Sequence, residues 1–241
     1  MSLSPSELDL NSDHSVYHLG LHPSDIADTI LLVGDPGRVR LVSDKFDKVT
    51  LRQQKREFIT HTGELNGKRL TVMATGIGTD NIDIVLNEID ALVNIDLEKR
   101  AYKDKKTSLR LIRMGTSGSL QSDIPVDSIL LSEAALGFDG VLHFYDAEHI
   151  MDHEFMKAFR ADMNWPVAAA HPYLVRADNE LLELLQGENT HTGVTITAHG
   201  FYGPQGRELR VPIAMPDLND ELEQFRYGNE RLTNYEMETS A

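Results

Sequence analysis

The order of elements along the chain, strands alternating with helices throughout, predicts an α/β fold in a single domain. Three observations carry that reading. Short strand-type apolar runs recur at Thr29–Val33, in the first half of Leu109–Gly118 and at His191–Ala198. Stretches with helical spacing lie between them, above all Asp80–Val93, where Ile82, Val85, Ile89 and Leu92 fall on one face. The length, 241 residues, suffices for one large core, and there is no internal repeat, low-complexity segment or linker.

Taken in order, Met1–Ser15 is polar and acidic and reads as a tail, with the folded domain spanning 16–241. Thr29–Val33 is a short buried strand stopped by Gly34-Asp35-Pro36-Gly37-Arg38, after which Arg38–Phe46 turns as a helix. Arg56–Leu65 and Lys68–Ala74 are strands around Asn66-Gly67, a type I′ hairpin signal. Gly76 and Gly78 lead into the Asp80–Val93 helix. Asp96–Ser108, mixed in charge and without apolar period, reads as an exposed loop or a helix extension. Val126–Glu133 and Val141–Tyr145 read as strands, Met151–Met163 and Ala177–Gln186 as helices. In His191–Ala198, Val194, Ile196 and Ala198 alternate with threonines, as in a half-buried strand.

Composition narrows the function classes. There is no cysteine, which excludes disulfide and thiolate chemistry and favours a cytoplasmic location. A net charge of −15 repels nucleic acid and anionic membranes, and no apolar run is long enough to span a bilayer. Any anionic ligand must then be held by a local arginine cluster.

Arg113-Met114-Gly115-Thr116-Ser117-Gly118 supplies such a place: an arginine beside a turn of two glycines and two hydroxyls, suited to a phosphate. The alternative is an ordinary turn with Arg113 in solvent. Gly34–Arg38 repeats the pattern of strand, tight turn and arginine. His149 and His153 stand four apart and could share a helix face, but the acidic neighbours Asp152 and Glu154 suit a solvated face, and no zinc-protease signature is present. His199–Arg207 is a loop by composition, yet it carries two aromatics, an amide and a guanidinium. In an extended Asn234–Ser240, Glu236 and Glu238 would point to one side.

These blocks together resemble the nucleoside phosphorylase family: Gly34–Arg38, Arg56-Glu57-Phe58, Thr75-Gly76-Ile77-Gly78, Arg113–Gly118, Phe201–Arg207 and Asn234–Glu238. The Gln-x-Arg element is similar to the uridine phosphorylase branch. The resemblance implies a mixed central sheet partly closed into a barrel and flanked by helices, and a homodimer as the minimal unit within a homohexamer. It also implies that the family continues past Ala241 through a further strand and helix. Gly34, Arg38, Arg113 and Thr116 would hold phosphate, joined by Arg56 from the neighbouring subunit. Glu238, backed by Met237 and Thr116, would hold the ribose, with His18 capping the 5′-hydroxyl from the neighbour. Phe201, Gln205 and Arg207 would hold the base beside Ser117 and Gly118. Arg113, Glu238 and Arg38 would then carry the catalysis.

The implied substrates are inorganic phosphate and a pyrimidine nucleoside, uridine giving uracil and ribose 1-phosphate, without a cofactor. The alternatives are a purine nucleoside phosphorylase, a hydrolytic nucleosidase, or a catalytically impaired nucleoside-binding subunit. No metal is implied for the reaction. Asp80-Asn81 stands where some relatives carry Pro-Ser beside an intersubunit potassium, so only a weak site near Glu57, Ile77 and Asn81 is implied.

Overall fold

Thr29–Val33, a run of β-branched and leucine residues, forms strand β1, and Gly34-Asp35 ends it. The Asp35 carboxylate accepts from Gly37 N at 2.7 Å, and Pro36 begins helix α1 (Pro36–Ser43), where no amide hydrogen is needed. The computed structural model describes residues 3–166 and 169–241; the first two residues of the Met1–Ser15 stretch lie outside them. The described residues form two compact units, Met1–Gly115 and Thr116–Ala241.

In the first unit β2 (Lys48–Lys55), β3 (Phe58–Leu65) and β4 (Lys68–Ala74) follow as a meander. Asn66 at φ 51° and Gly67 at φ 74° give the left-handed pair that a type I′ turn requires. The strand expected from Arg56 begins instead at Phe58, because Arg56 is itself left-handed (φ 52°) in the turn between β2 and β3. Helix α2 (Thr79–Asn94) buries Ile82, Val85, Ile89 and Leu92, the face its spacing predicts. The expected loop or helix extension at 96–108 holds instead a small ladder, β5 (Ile95–Asp96) with β6 (Ala101–Tyr102). Then β7 (Arg110–Met114) completes a five-stranded sheet of order β2-β3-β4-β1-β7. Around it Ile30, Leu32, Phe58, Met73, Ile89 and Leu92 form the core, joined by Leu8 from the N-terminal stretch.

Strand β1 lies between β4 and β7 and runs parallel to both. The register pairs Val33 with Ala74 and with Met114. All three strands therefore end level, and their glycine turns leave the sheet at one edge. In parallel sheets that carboxyl edge is where ligands bind.

The second unit repeats the device. It contains β8 (Gly118–Ser119), β9 (Ile129–Gly137), α3 (His153–Asp162), β10 (Tyr173–Arg176), α4 (Asn179–Leu185), β11 (Thr190–Thr197), α5 (Leu218–Gln224), β12 (Arg226–Tyr227) and β13 (Glu230–Glu236). The sheet order is β10-β9-β11-β13-β12, with β8 paired to β13. Strand β11 is parallel to β9 and to β13, and Thr197 is level with Gly137 and Glu236. Leu136, Phe155, Phe159, Ile196, Leu222 and Leu232 form this unit's core.

Several expectations are corrected. The described strands pair into two open sheets and a two-stranded ladder rather than one central sheet, and they form no closed barrel, although the parallel and antiparallel mixture holds. The strand expected over Val126–Glu133 runs over Ile129–Gly137; Val126 lies outside it, 91% exposed. Val141–Tyr145 is not a strand: Gly140 at φ 83° turns the chain into a 3-10 helix over Val141–Phe144. Asp152 caps α3 by accepting from Phe155 N at 3.0 Å, which delays its start to His153. His149 lies in the 3-10 helix Glu148–Ile150, so it shares no helix face with His153. Asp178 accepts from Leu181 N at 2.9 Å and trims α4 at its front. Among the described residues no helix is long and apolar enough to cross a membrane.

Candidate functional site

At the carboxyl edge of the first sheet, Arg113 follows directly from the pairing of β7 with β1, where it sits opposite Leu32. Its guanidinium folds back over Gly115: a Cβ there would collide with Nη1 and stand 3.2 Å from Cζ. A Cβ on Gly34 would be 3.8 Å from Arg113 Nη2 and 3.4 Å from the Gly76 carbonyl oxygen. Gly34 and Gly115 thus let two turns close on one half-buried guanidinium, with the Gly76 carbonyl beside Gly34. Arg113 does not stand out in solvent as an ordinary turn would leave it. Arg38 is half-buried in the first turn of α1.

The residues named for a weak potassium site surround Gly76. A Cβ there would strike the Asn81 amide and lie 3.5 Å from Glu57 Cγ. Asn81 Nδ2 donates to the Ile77 carbonyl at 3.4 Å.

His18 and Arg56, far apart in sequence, meet on Tyr17. The His18 ring stands edge-on to Tyr17 at 4.9 Å, and the Arg56 guanidinium is 5.5 Å from the same ring. Lys55 Nζ lies 4.8 Å from that ring and donates to Asn11 Oδ1 at 2.6 Å and to the Tyr17 carbonyl. From α2, Glu88 reaches His18 Nδ1 at 2.7 Å.

In the second unit the loop after β11 brings the proposed base-reading residues together. Arg207 donates from Nη1 to the Phe201 carbonyl at 2.7 Å and to Gln205 Oε1. Its Cζ is stacked 4.2 Å from the Phe201 ring centroid, and a Cβ on Gly118 would stand 3.4 Å from its Nη2. Asn219 of α5 donates to the Gln205 carbonyl at 3.2 Å and accepts from the Tyr235 hydroxyl at 3.1 Å, which ties the loop to β13. Phe201 is half open to solvent while Gln205 is buried. Thr116 and Ser117 are exposed just ahead of β8. Beside the loop lies an apolar cavity of about 830 Å³, lined by Phe138, Trp165, Tyr202, Leu209, Ile213 and Met215. Phe201, Gln205 and Glu238 do not line it.

The segment after β13 turns sharply, so Glu236 and Glu238 do not alternate along an extended strand. Glu236 accepts from Thr197 Oγ1 at 2.6 Å, from Glu238 N at 3.0 Å and from Thr239 N at 3.0 Å. Ser240 N donates to Thr197 Oγ1 at 3.0 Å, and Ser240 Oγ to Asp139 Oδ2 at 2.8 Å. Tyr173 OH donates to Asp139 at 2.8 Å. Burial, with the Asp139 carboxylate beside it, holds the Tyr173 phenol well above its usual range, so it remains a donor. Both Glu236 and Glu238 are buried, with Met237 half-buried between them.

Sequence reasoning missed Glu88, Thr197, Asp139 and Asn219. None stands in a motif; each acquires its partner only through strand register or helix packing.

A profile of the phosphorylase superfamily matches residues 28–241. The chain is 32% identical over 233 residues to the uridine phosphorylase of Escherichia coli, covering 95% of this chain and 79% of that one. It is 30% identical over 193 residues to the DeoD-type purine nucleoside phosphorylase of Streptococcus suis, 78% of this chain and 68% of the relative. A solved nucleoside phosphorylase of Trypanosoma brucei, described as showing uridine phosphorylase activity, superposes with a TM-score of 0.85 at 29% identity, covering 97% of this chain and 84% of that one.

Proposed function

The chain belongs to the phosphorylase superfamily, and from that premise we propose that it is a uridine phosphorylase, a pentosyltransferase that cleaves uridine with inorganic phosphate. The observation that carries the choice of base is the Phe201–Gln205–Arg207 constellation, in which Arg207 binds Gln205 Oε1 and stacks on Phe201. Uracil offers acceptor, donor and acceptor along O2, N3–H and O4. Gln205 Nε2 donates to O2, the remaining lone pair of its oxygen accepts from N3–H, and Arg207 donates to O4. Cytosine reverses N3 and the exocyclic group, and each buried mismatch costs about 1–3 kcal/mol.

In the reaction a phosphate oxygen forms a bond to the anomeric carbon as the carbon–N1 bond breaks. The bonding pair leaves with the base, which takes a proton from solvent. Arg113 and Arg38, with Gly34 and Thr116, hold the phosphate, and Arg56 of a neighbouring subunit joins them. Glu238 accepts from the ribose hydroxyls where positive charge develops, and Gln205 and Arg207 face the negative charge that grows on the base. Holding phosphate against the sugar adds an entropic share.

We read the working unit as a homodimer within a homohexamer, in a cytoplasmic location. Mixing His18→Ala with Glu238→Ala subunits then restores activity, since a hybrid dimer keeps one intact pocket; no recovery after verified exchange counts against sharing. Likeness to the purine nucleoside phosphorylase of Streptococcus suis favours a second reading. Product analysis with uridine, thymidine, cytidine, inosine and adenosine, with and without phosphate, decides. Phosphate-dependent release of uracil with near-rejection of cytidine is expected; preference for a purine nucleoside, or cleavage without phosphate, overturns it.

A further inference from the structure

Glu88 is absent from every motif, yet it is the most heavily used carboxylate of the first unit's functional patch. It stands on α2 one turn from the buried Val85 and one turn from the buried Leu92, at the flank of that face, so the helix register fixes its position. Its Oε1 accepts from His18 N at 2.8 Å and from His18 Nδ1 at 2.7 Å; its Oε2 accepts from Leu19 N at 2.8 Å. The loop it grips is closed on itself, Val16 N donating to the Leu21 carbonyl at 3.0 Å and Gly20 N to the Val16 carbonyl at 2.9 Å, with Gly20 left-handed at φ 62°. The Glu88 side chain is 14% exposed and the His18 side chain 30% exposed. The carboxylate is therefore enclosed while the imidazole keeps one open edge.

An ionised carboxylate can only accept. Whatever touches it must donate, so Nδ1 carries the ring proton, and in the neutral imidazole Nε2 is left as an acceptor. We propose that Glu88 is a positioning residue that locks His18 as the Nδ1–H tautomer and presents Nε2 as an acceptor to a hydroxyl donor. Resting on the function proposed above, that donor is the 5′-hydroxyl of the nucleoside in a neighbouring subunit. The pocket then selects a 5′-group that can donate over an acceptor-only substituent of the same size, such as fluorine.

Two measurements test it. Nitrogen-15 NMR of histidine-labelled protein, with the His18 signals identified by their loss in His18→Asn, reads the tautomer without turnover. Wild type is expected to show Nδ1–H, and Glu88→Gln, which keeps an acceptor for the loop amides and can also donate to Nδ1, a population of Nε2–H. An Nε2–H proton in wild type, as the other tautomer or as imidazolium, overturns the proposal. Kinetically, Glu88→Gln should lower kcat/KM for uridine about tenfold, the upper range for one hydrogen bond. It should leave 5′-deoxyuridine and 5′-deoxy-5′-fluorouridine within about twofold, and add nothing further in a His18→Ala background. Equal losses on all three substrates would mean that Glu88 only braces the loop. Wild type that cleaves no pyrimidine nucleoside with phosphate sinks the function, while the NMR result still decides the role of Glu88.

Discussion

After β13 the chain buries its carboxylates: Glu236 is 7% and Glu238 6% exposed, and Glu236 is gripped by a hydroxyl and two backbone amides. After β11 the neighbouring loop does the reverse, leaving Phe201 52% and Tyr202 54% exposed and burying only Gln205, at 4%. Both segments leave the same edge of one sheet. In the first, the proposed ribose holder Glu238 sits in a turn that Glu236 ties to β11 through Thr197. In the second, Arg207 stacks on Phe201 and donates to Gln205, and among the described residues only Asn219 ties the loop to α5 by a hydrogen bond. Substitutions should therefore couple stability to activity in the turn and separate them in the loop.

The largest effect expected is from Glu236→Ala. It strands a buried hydroxyl and two amide donors, each worth about 1–3 kcal/mol when unsatisfied, so the unfolding free energy should fall by about 4 kcal/mol. Ribose binding should be lost with it. A denaturation midpoint unchanged in this variant would break the comparison. Arg113→Ala gives the contrast from the other unit: with one charge-assisted contact gone, phosphate use should weaken by about 1.5–3 kcal/mol while the melting curve stays put. Wild-type phosphate kinetics would remove Arg113 from the anion site.

Gln205→Ala should cost uridine turnover about 1–3 kcal/mol and leave the phosphate KM alone. If thermal stability falls as far as in Glu236→Ala, the loop is structural after all. The mildest change, Phe201→Leu, removes a stacked cation worth about 0.5–1 kcal/mol at an exposed site. Uridine KM should rise a few fold, read by steady-state kinetics alone.

Legibility in the sequence followed the same division. The turns around Gly34, Asn66-Gly67 and Gly115 could be read directly, because glycine, proline and asparagine state their backbone needs locally. Helix α2 could be read because its apolar period faces one core. Strand β2 could not: in Lys48–Lys55 the half-buried face carries only Val49 and Leu51 before it turns polar at Gln53 and Lys55, too short an apolar alternation to read. The 3-10 helix at Val141–Phe144 imitates a strand in composition and is decided by the left-handed Gly140 before it. Within the candidate site, arginines beside glycines stand out in the sequence, whereas Glu88 and Thr197 look like ordinary surface and strand residues. Glu236 was singled out, but its service to the backbone rather than to a ligand depends on the level ending of β11 and β13.

The parallel pairing of β1 with both β4 and β7 also sets an order of events in time. Strands β2, β3 and β4 lie near one another in sequence and can zip as successive hairpins. β1, however, must wait for a partner about eighty residues further on, Thr29 pairing with Arg110. Until that segment leaves the ribosome, one flank of β1 is an open edge whose unpaired amides can recruit another chain. The last strand to dock is also the one that carries Arg113. On a nascent chain, the phosphate site proposed around Arg113 would therefore form only as that edge is sealed.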